Sequence, residues 1–215
     1  MRVLVACEES QRVCREFRKR GHEAYSCDLL QCGGGHPEWH LQTDVTELLK
    51  MKWDMVLAFP PCTHLAVSGA AWFEEKRRDG RQQMGIGFFL QFTALDHIPK
   101  VVIENPVGIM SKLYRKPDQI IHPWMFGDNY SKSTCLWLKG VEPLKPLVTE
   151  QPELEWFEWT DSKTEKKKRQ PKWVADAWKL SPNERAMVRS KTFPGIARAM
   201  ASQWVSYIRE TEEQT

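Results

Sequence analysis

The sequence predicts an α/β fold, a doubly wound and mostly parallel sheet with helices on both faces and a small inserted lobe. Three apolar runs, Val3-Leu4-Val5-Ala6, Met55-Val56-Leu57-Ala58-Phe59 and Val101-Val102-Ile103, are continuous and not alternating, the pattern of strands covered on both faces. Helical patterns separate them, which gives a βαβ rhythm. Each run leads into polar or nucleophilic residues: Cys7-Glu8-Glu9-Ser10, Pro60-Pro61-Cys62 and Glu104-Asn105-Pro106. Parallel strands would bring all three to one rim, where an open sheet binds its ligands.

In chain order, Glu9 to Arg20 places Val13 and Phe17 on one helical face among Arg12, Arg15, Arg18, Lys19 and Arg20, and stops at Gly21. Ser26-Cys27-Asp28 reads as the end of a second strand. Gly87 to His97 reads as a helix before Pro99, and Cys135-Leu136-Trp137-Leu138 as a further strand. From Val141 to Pro182 the rhythm breaks, with five prolines, four tryptophans and both charge runs of the chain. Pro194 then opens a helix in which Ile196, Met200, Trp204 and Ile208 recur every four residues. The expected division is a main domain over 1–140, a lobe over 141–182, a helix over 183–210 returning to the main domain, and a tail over 211–215.

With 215 residues, 41% of them hydrophobic and 27% charged, the chain is long enough for one substantial core and is not disordered throughout. It has no apolar run of membrane-spanning length, and its N-terminus lacks a signal-peptide pattern, so a soluble, cytoplasmic protein is expected, with a monomer favoured. The six cysteines are scattered, and reduced thiols are expected in place of a disulfide framework. The net charge of +3 is small but unevenly placed. Residues 163–172 hold six basic side chains against one acid, after an acidic run through Glu150, Glu153, Glu155, Glu158 and Asp161. The basic stretch is either a solvated loop or a phosphate-contacting one.

A thiol directly after two prolines sits on a backbone with two fixed φ angles, which pre-orders a nucleophile at small entropic cost. Cys62 alone reads equally as a small buried cysteine. A carboxyl from Glu104 at a neighbouring strand end makes the pair a candidate catalytic site.

Ala58-Phe59-Pro60-Pro61-Cys62, Ile103-Glu104-Asn105-Pro106-Val107 and Thr192-Phe193-Pro194-Gly195-Ile196-Ala197-Arg198-Ala199-Met200-Ala201 resemble, in this order, the nucleophile, glutamate-asparagine and C-terminal helix motifs of the DNA cytosine-5 methyltransferases, especially the compact phage type. The resemblance covers most of the chain. It implies a Rossmann-like methyltransferase that uses S-adenosyl-L-methionine, or a modified form of it, and DNA as substrate, with phage genome modification and evasion of restriction in the host cytoplasm as its setting. Cys62 would add to carbon 6 of cytosine, making carbon 5 nucleophilic, while Glu104 holds N3 and the 4-amino group.

The same resemblance carries further residues. Ala6, Cys7, Glu8 and Ser10 stand in the first cofactor loop, where Ala6-Cys7-Glu8-Glu9-Ser10 replaces the usual Phe-x-Gly-x-Gly. Asp28 stands at the ribose-binding acid and Asp44 at the acid beside the adenine amino group, although lone acids are often helix caps or turn residues. Pro60 and Gly195 border the cofactor, Gly195 where many relatives have asparagine. Lys132, in Tyr130-Ser131-Lys132-Ser133-Thr134, is the one cation retained from the Gln-x-Arg-x-Arg motif and faces the cytosine carbonyl or a phosphate, or is a surface lysine at a strand edge. Thr63 to Gly85, with Ser68 and Arg81, matches the loop that closes over a flipped base. Lys166, Lys167, Lys168 and Arg169 would contact phosphates. Trp156, Trp159, Trp173 and Trp178 either stack on bases or, the preferred reading, form the lobe's core.

Cys27, Cys32, His36 and His40 have zinc-ligand residue types, but Cys27 and Asp28 already belong to the second strand and the cofactor acid, so no metal is assigned. Two other functions stay open: the same chemistry on single-stranded DNA or a free nucleotide, since the lobe is short, and a non-catalytic DNA-binding protein, since the glycine motif and the arginines have departed.

Overall fold

The computed structural model describes residues 1–162 and 164–212, with the side chains of 206–212 outside that description. In chain order the elements are β1 (Arg2–Ala6), α1 (Arg12–Arg18), β2 (Glu23–Asp28), β3 (His40–Gln42), α2 (Val45–Leu48), β4 (Met55–Ala58), α3 (Phe73–Arg78), α4 (Arg81–Gln91), β5 (Lys100–Pro106), α5 (Met110–Leu113), β6 (Gln119–Ile121), β7 (Thr134–Lys139), β8 (Trp156–Thr160), β9 (Lys167–Pro171), α6 (Lys172–Ala177), α7 (Pro182–Ser190) and α8 (Pro194–Glu212).

Seven strands form one sheet in the order β3-β2-β1-β4-β5-β7-β6, and β8 and β9 form a separate hairpin. β1, β2, β3, β4 and β5 run parallel, whereas β7 is antiparallel to both β5 and β6. The three continuous apolar runs are the adjacent strands β1, β4 and β5 at the centre. Alternate residues feed two cores. Val3, Val5, Met55, Leu57 and Val102 pack under α1 and α8, with Phe17, Ile196, Met200 and Trp204. Leu4, Val56, Ala58, Val101 and Ile103 pack on the other face with Phe89, Phe92 and Trp137. Strand order reverses between β1 and β4, which leaves a crevice at their carboxyl ends.

Element bounds depart from the sequence expectations for local reasons. α1 begins at Arg12, later than Glu9, because the preceding residues form a turn with Cys7 (φ 60°) and Gln11 (φ 55°) in the left-handed region. Each such residue costs about 1–2 kcal/mol without glycine. Buried hydrogen bonds offset it. The Gln11 amide donates to Ser26 Oγ (3.2 Å) and the His36 carbonyl (2.8 Å) and accepts from His36 N (3.0 Å) and Cys32 Sγ (3.1 Å). The Glu8 carboxyl accepts from Val13 N (2.7 Å) and Cys14 N (3.1 Å) and so caps α1.

Burial pushes the Glu8 carboxyl from 4.5 up to about 7, against the pull of those two amides. Because the folded pKa lies above the unfolded one, the native state keeps a proton that the unfolded chain loses. Stability is therefore expected to fall between pH 4.5 and 7, with Glu8 contributing on the order of 3 kcal/mol of that fall. Denaturant titrations at pH 4.5 and 7.5 check it: Glu8→Gln should flatten the difference, and an unchanged difference would remove Glu8 as its cause.

α4 starts at Arg81, six residues before the expected Gly87, because Gly80 (φ 83°) breaks the preceding helix and the Asp79 carboxyl accepts from Arg81 N at 3.1 Å. The segment Thr63 to Gly85, expected as an open loop, is mostly helical turns. Lys76 is buried there, with Nζ donating to the Thr63 carbonyl at 2.7 Å, and Gln82 Nε2 donates to the His64 carbonyl at 3.2 Å. α8 starts at Pro194 as expected, and Ile196, Met200 and Trp204 are buried. Thr211 and Glu212, expected to begin the tail, continue α8, while the expectation for the Ile208 side chain and that of a tail at 213–215 lie outside the described residues.

The lobe is a hairpin, β8–β9, followed by α6, and its tryptophans do not form the expected core. Trp159 (37%) and Trp178 (59%) are exposed, and Trp156 and Trp173 are half-buried. A two-stranded ribbon carrying Trp156 and Trp159 and a short helix carrying Trp173 and ending at Trp178 offer too little covering structure to bury four indoles. All six cysteines are unpaired. The zinc-like spacing disperses: Cys27 Sγ lies 3.4 Å from the Thr43 carbonyl, and His40 is held between Ser26 Oγ (2.8 Å) and the Leu30 carbonyl (2.9 Å). No helix among the described residues is long and apolar enough to cross a membrane.

Candidate active site

Cys62 follows the end of β4, and Glu104 lies within β5, the next parallel strand. The two loops are stitched together. Asn105 Nδ2 donates to the Pro60 carbonyl at 2.8 Å, Val67 N to the Val107 carbonyl at 3.0 Å and Ile109 N to the Leu65 carbonyl at 3.0 Å. Leu65 N and Ala66 N both donate to the Cys62 carbonyl at 2.9 Å, closing a turn on the cysteine. Gly108 is required at this seam, since a Cβ there would overlap the Leu65 carbonyl oxygen. The Pro-Pro-Cys backbone is thus held against the Glu-Asn-Pro strand by bonds that the sequence pairing alone did not specify.

Glu104 shares its sheet face with Val102 and with Thr134 and Leu136 of β7, under α8. Its carboxyl opens into a cavity lined by Lys132, Thr134, Ser190, Thr192, Phe193 and Ile196. Burial raises the Glu104 carboxyl above the usual range, opposed by the Lys132 ammonium and the Thr134 hydroxyl. Burial likewise raises the Cys62 thiol, as does the Glu104 charge, while Lys132 and Arg189 draw it down. Cys62, Glu104 and Lys132 therefore share one electrostatic environment, although Cys62 does not line the narrow cavity itself. Lys132 is not a free edge lysine: its Nζ donates to the Arg189 carbonyl at 3.2 Å, tying β7 to the end of α7. Arg189, half-buried and without an acidic partner among the described residues, is the cation that sequence reasoning missed. Nothing near it in the chain marked it, because it reaches the site only through the packing of α7.

At the β1–β4 crevice, Phe59 N donates to the Ala6 carbonyl and Glu8 N to the Cys27 carbonyl, both at 3.0 Å. Ala6 and Pro60 are buried, and Cys7 and Ser10 are partly exposed beside them. Glu8 needs correcting as a cofactor contact, since its carboxyl turns inward to cap α1. Asp28 ends β2, and one of its carboxyl oxygens accepts from Leu30 N at 2.9 Å. Exposed Leu29 and Leu30 follow it. An acid beside an exposed apolar pair suits a nucleoside, the acid for a ribose diol and the leucines for a base. Asp44 is the helix cap of the alternative reading, accepting from Thr46 N at 2.8 Å, and its side chain is solvent-exposed.

Gly195 is buried, and its N donates to Asp128 Oδ2 at 2.7 Å. A Cβ there would overlap the Phe126 carbonyl oxygen. That contact leaves no room for an asparagine side chain at this position. Gly195→Ala is expected to cost about 2 kcal/mol, or roughly 4–8 °C in melting temperature. A calorimetric scan equal to the unsubstituted protein would remove the close packing as the reason for glycine.

Two of the expected DNA-contact cations carry surface ion pairs. Arg81 is engaged by Asp79 and by Glu75 (2.5 Å), so its charge is already compensated. Lys168 is paired with Asp161, whereas Lys166, Lys167 and Arg169 are exposed without an acidic partner among the described residues. Ser68 is exposed. Neither the family models nor the curated proteins compared with this chain give a match.

Proposed function

We propose that the chain is an S-adenosylmethionine-dependent DNA (cytosine-5)-methyltransferase, in the Rossmann-like α/β class. The observation that carries this reading is the pairing of Cys62 with Glu104 on adjacent parallel strand tips, within reach of Lys132 and next to the crevice where strand order reverses. The motif resemblance of the Pro-Pro-Cys, Glu-Asn-Pro and Thr-Phe-Pro-Gly segments supports it.

Carbon 5 of cytosine is a weak nucleophile, so a thiolate must first add at carbon 6. Cys62 performs that addition. Lys132 and Arg189 oppose the burial of its negative charge. Glu104, whose carboxyl is biased toward the protonated form by burial, donates to N3 as electron density moves into the ring. S-adenosylmethionine, when bound, supplies the electrophilic methyl carbon. Asp28 would hold its ribose, and the backbone of Ala6 to Ser10 would border its methionine end. Loss of the carbon 5 proton and expulsion of Cys62 then restore the free thiol.

The test incubates the protein with unmodified DNA and S-adenosylmethionine and digests the product to nucleosides for mass spectrometry. 5-Methylcytosine is expected, together with a covalent adduct on 5-fluorocytosine DNA. Unmodified cytosine and no adduct would overturn the reading and favour a DNA-binding protein without catalysis.

A further inference from the structure

The aromatic side chains of the lobe divide by what covers them. The Arg169 guanidinium lies over Trp156 at 4.6 Å, and that of Arg185 over Trp178 at 4.2 Å. Trp173 is wedged against Tyr130 and Phe193, and its Nε1 donates to the Ser131 carbonyl at 3.2 Å. Phe157 (49% exposed) and Trp159 (37% exposed) have only each other, with ring centroids 6.0 Å apart and planes at 28°.

Phe157 and Trp159 are two residues apart on β8 and so project from the same face of the hairpin, opposite Gln170 and Lys168 of β9. The strand rise separates such a pair by about 6.7 Å. That is close to twice the roughly 3.4 Å spacing of stacked bases. The ring centroids stand at 6.0 Å, so admitting one unpaired base between them takes a widening of under about 1 Å, and neighbouring bases can stack outside the pair. Lys166, at the turn of the same hairpin, carries uncompensated charge for the phosphates, and Lys167, opposite Thr160 at the start of β9, adds charge from the other face of the hairpin end. The hairpin leads directly into α6, where Trp173 packs on Phe193, and Phe193 lines the cavity of Glu104 and Lys132. The ribbon is thereby joined to an element that packs beside that cavity.

We propose that β8–β9 is a stacking platform for single-stranded DNA, and that the protein takes its target cytosine from an unpaired strand. Base faces in a duplex are covered by their neighbours, so two exposed rings can stack only on unpaired bases. Reading base edges in a major groove calls for hydrogen-bonding side chains, and this face offers Gln170 and a lysine already paired with Asp161. The proposal rests on the reading above for DNA as the polymer, but the platform itself does not depend on Cys62.

The test is a fluorescence-anisotropy titration of the full chain with a cytosine-containing labelled 16-mer, alone and annealed to its complement, at two salt concentrations. Single-stranded binding at least about tenfold tighter than duplex binding is expected. Phe157→Ala and Trp159→Ala should each weaken single-strand binding by about tenfold, within the range seen when one stacking aromatic is removed. Their salt dependence should stay unchanged, whereas Lys166→Gln with Lys167→Gln should reduce it. Both aromatics are exposed, so unaltered thermal melts are expected to accompany these losses. Equal or tighter duplex binding, or wild-type single-strand affinity in both aromatic variants, overturns the platform. If binding follows the expected pattern while 5-fluorocytosine trapping fails, the catalytic reading falls and the platform stands. If cytosine is methylated in duplex only, the reverse holds.

Discussion

Replacing Cys62 with serine is expected to reduce methyl transfer by on the order of 10⁴-fold or more, because loss of a covalent nucleophile removes the reaction route and not just a contact. A hydroxyl in this half-buried position stays protonated at any working pH and adds poorly to an aromatic carbon. The fold should not change. Serine nearly matches cysteine in shape, and the turn at residue 62 is held by the Cys62 carbonyl and not by its sulfur. Nucleoside mass spectrometry with a parallel melt separates these effects, and wild-type methylation by Cys62→Ser would eliminate the nucleophile assignment. The resting thiol is raised by burial and by Glu104. Activity should therefore climb with pH as the thiolate fills. Lys132→Met removes a cation that lowers the thiol and should move this limb to higher pH.

Glu104→Gln is expected to lower transfer by roughly 10²–10⁴-fold, the usual worth of a positioned acid, while making the protein more stable in alkaline solution. The sign follows from burial, which holds the carboxyl above its unfolded value. The protonated form is favoured in the native state, and the stability tied to it is lost as pH rises through the raised pKa. Glutamine carries no charge and avoids that loss, but it cannot pass a proton to N3. A thermal midpoint that rises at pH 8 while turnover collapses would be the combined signature of a catalytic group retained at a stability cost. In the proposed mechanism Glu104 acts protonated and Cys62 ionised, so the pH–rate profile should be bell-shaped. Loss of its alkaline limb in Glu104→Gln checks the assignment, and an unchanged bell in the variant would assign that limb to another group.

Much of the fold was legible because it rests on local pattern. The apolar runs at residues 3–6, 55–59 and 101–103 became adjacent central strands, and Pro194 opened the last helix. Residues 63–85 were less legible. Polar, glycine-punctuated sequence looks like a loop, yet buried Lys76 and Gln82 donate to the backbone carbonyls of Thr63 and His64 and hold it as helical turns. The lobe's tryptophans misled in the other direction, since indoles usually mark a core and here a two-stranded ribbon leaves two of them exposed. In the turn after β1, left-handed Cys7 and Gln11 make the bend without glycine, supported by a buried network reaching to Cys32 and His36.

The sequence by itself determined the parallel α/β architecture, the strand tips that carry Cys62 and Glu104, and the run that holds the exposed cations. Periodicity and motif spacing are properties of neighbouring residues, and they survive folding unchanged. Only the tertiary structure decided which charges remain available. It paired Arg81 with Asp79 and Glu75 and Lys168 with Asp161, turned Glu8 inward, and brought Arg189 to the thiol from more than a hundred residues away in the chain. A charge acts over a few ångströms of space, and the folded path of the backbone decides which partner enters that space, whether it stands two residues away, as Asp79 does from Arg81, or on a distant element, as Arg189 does from Cys62.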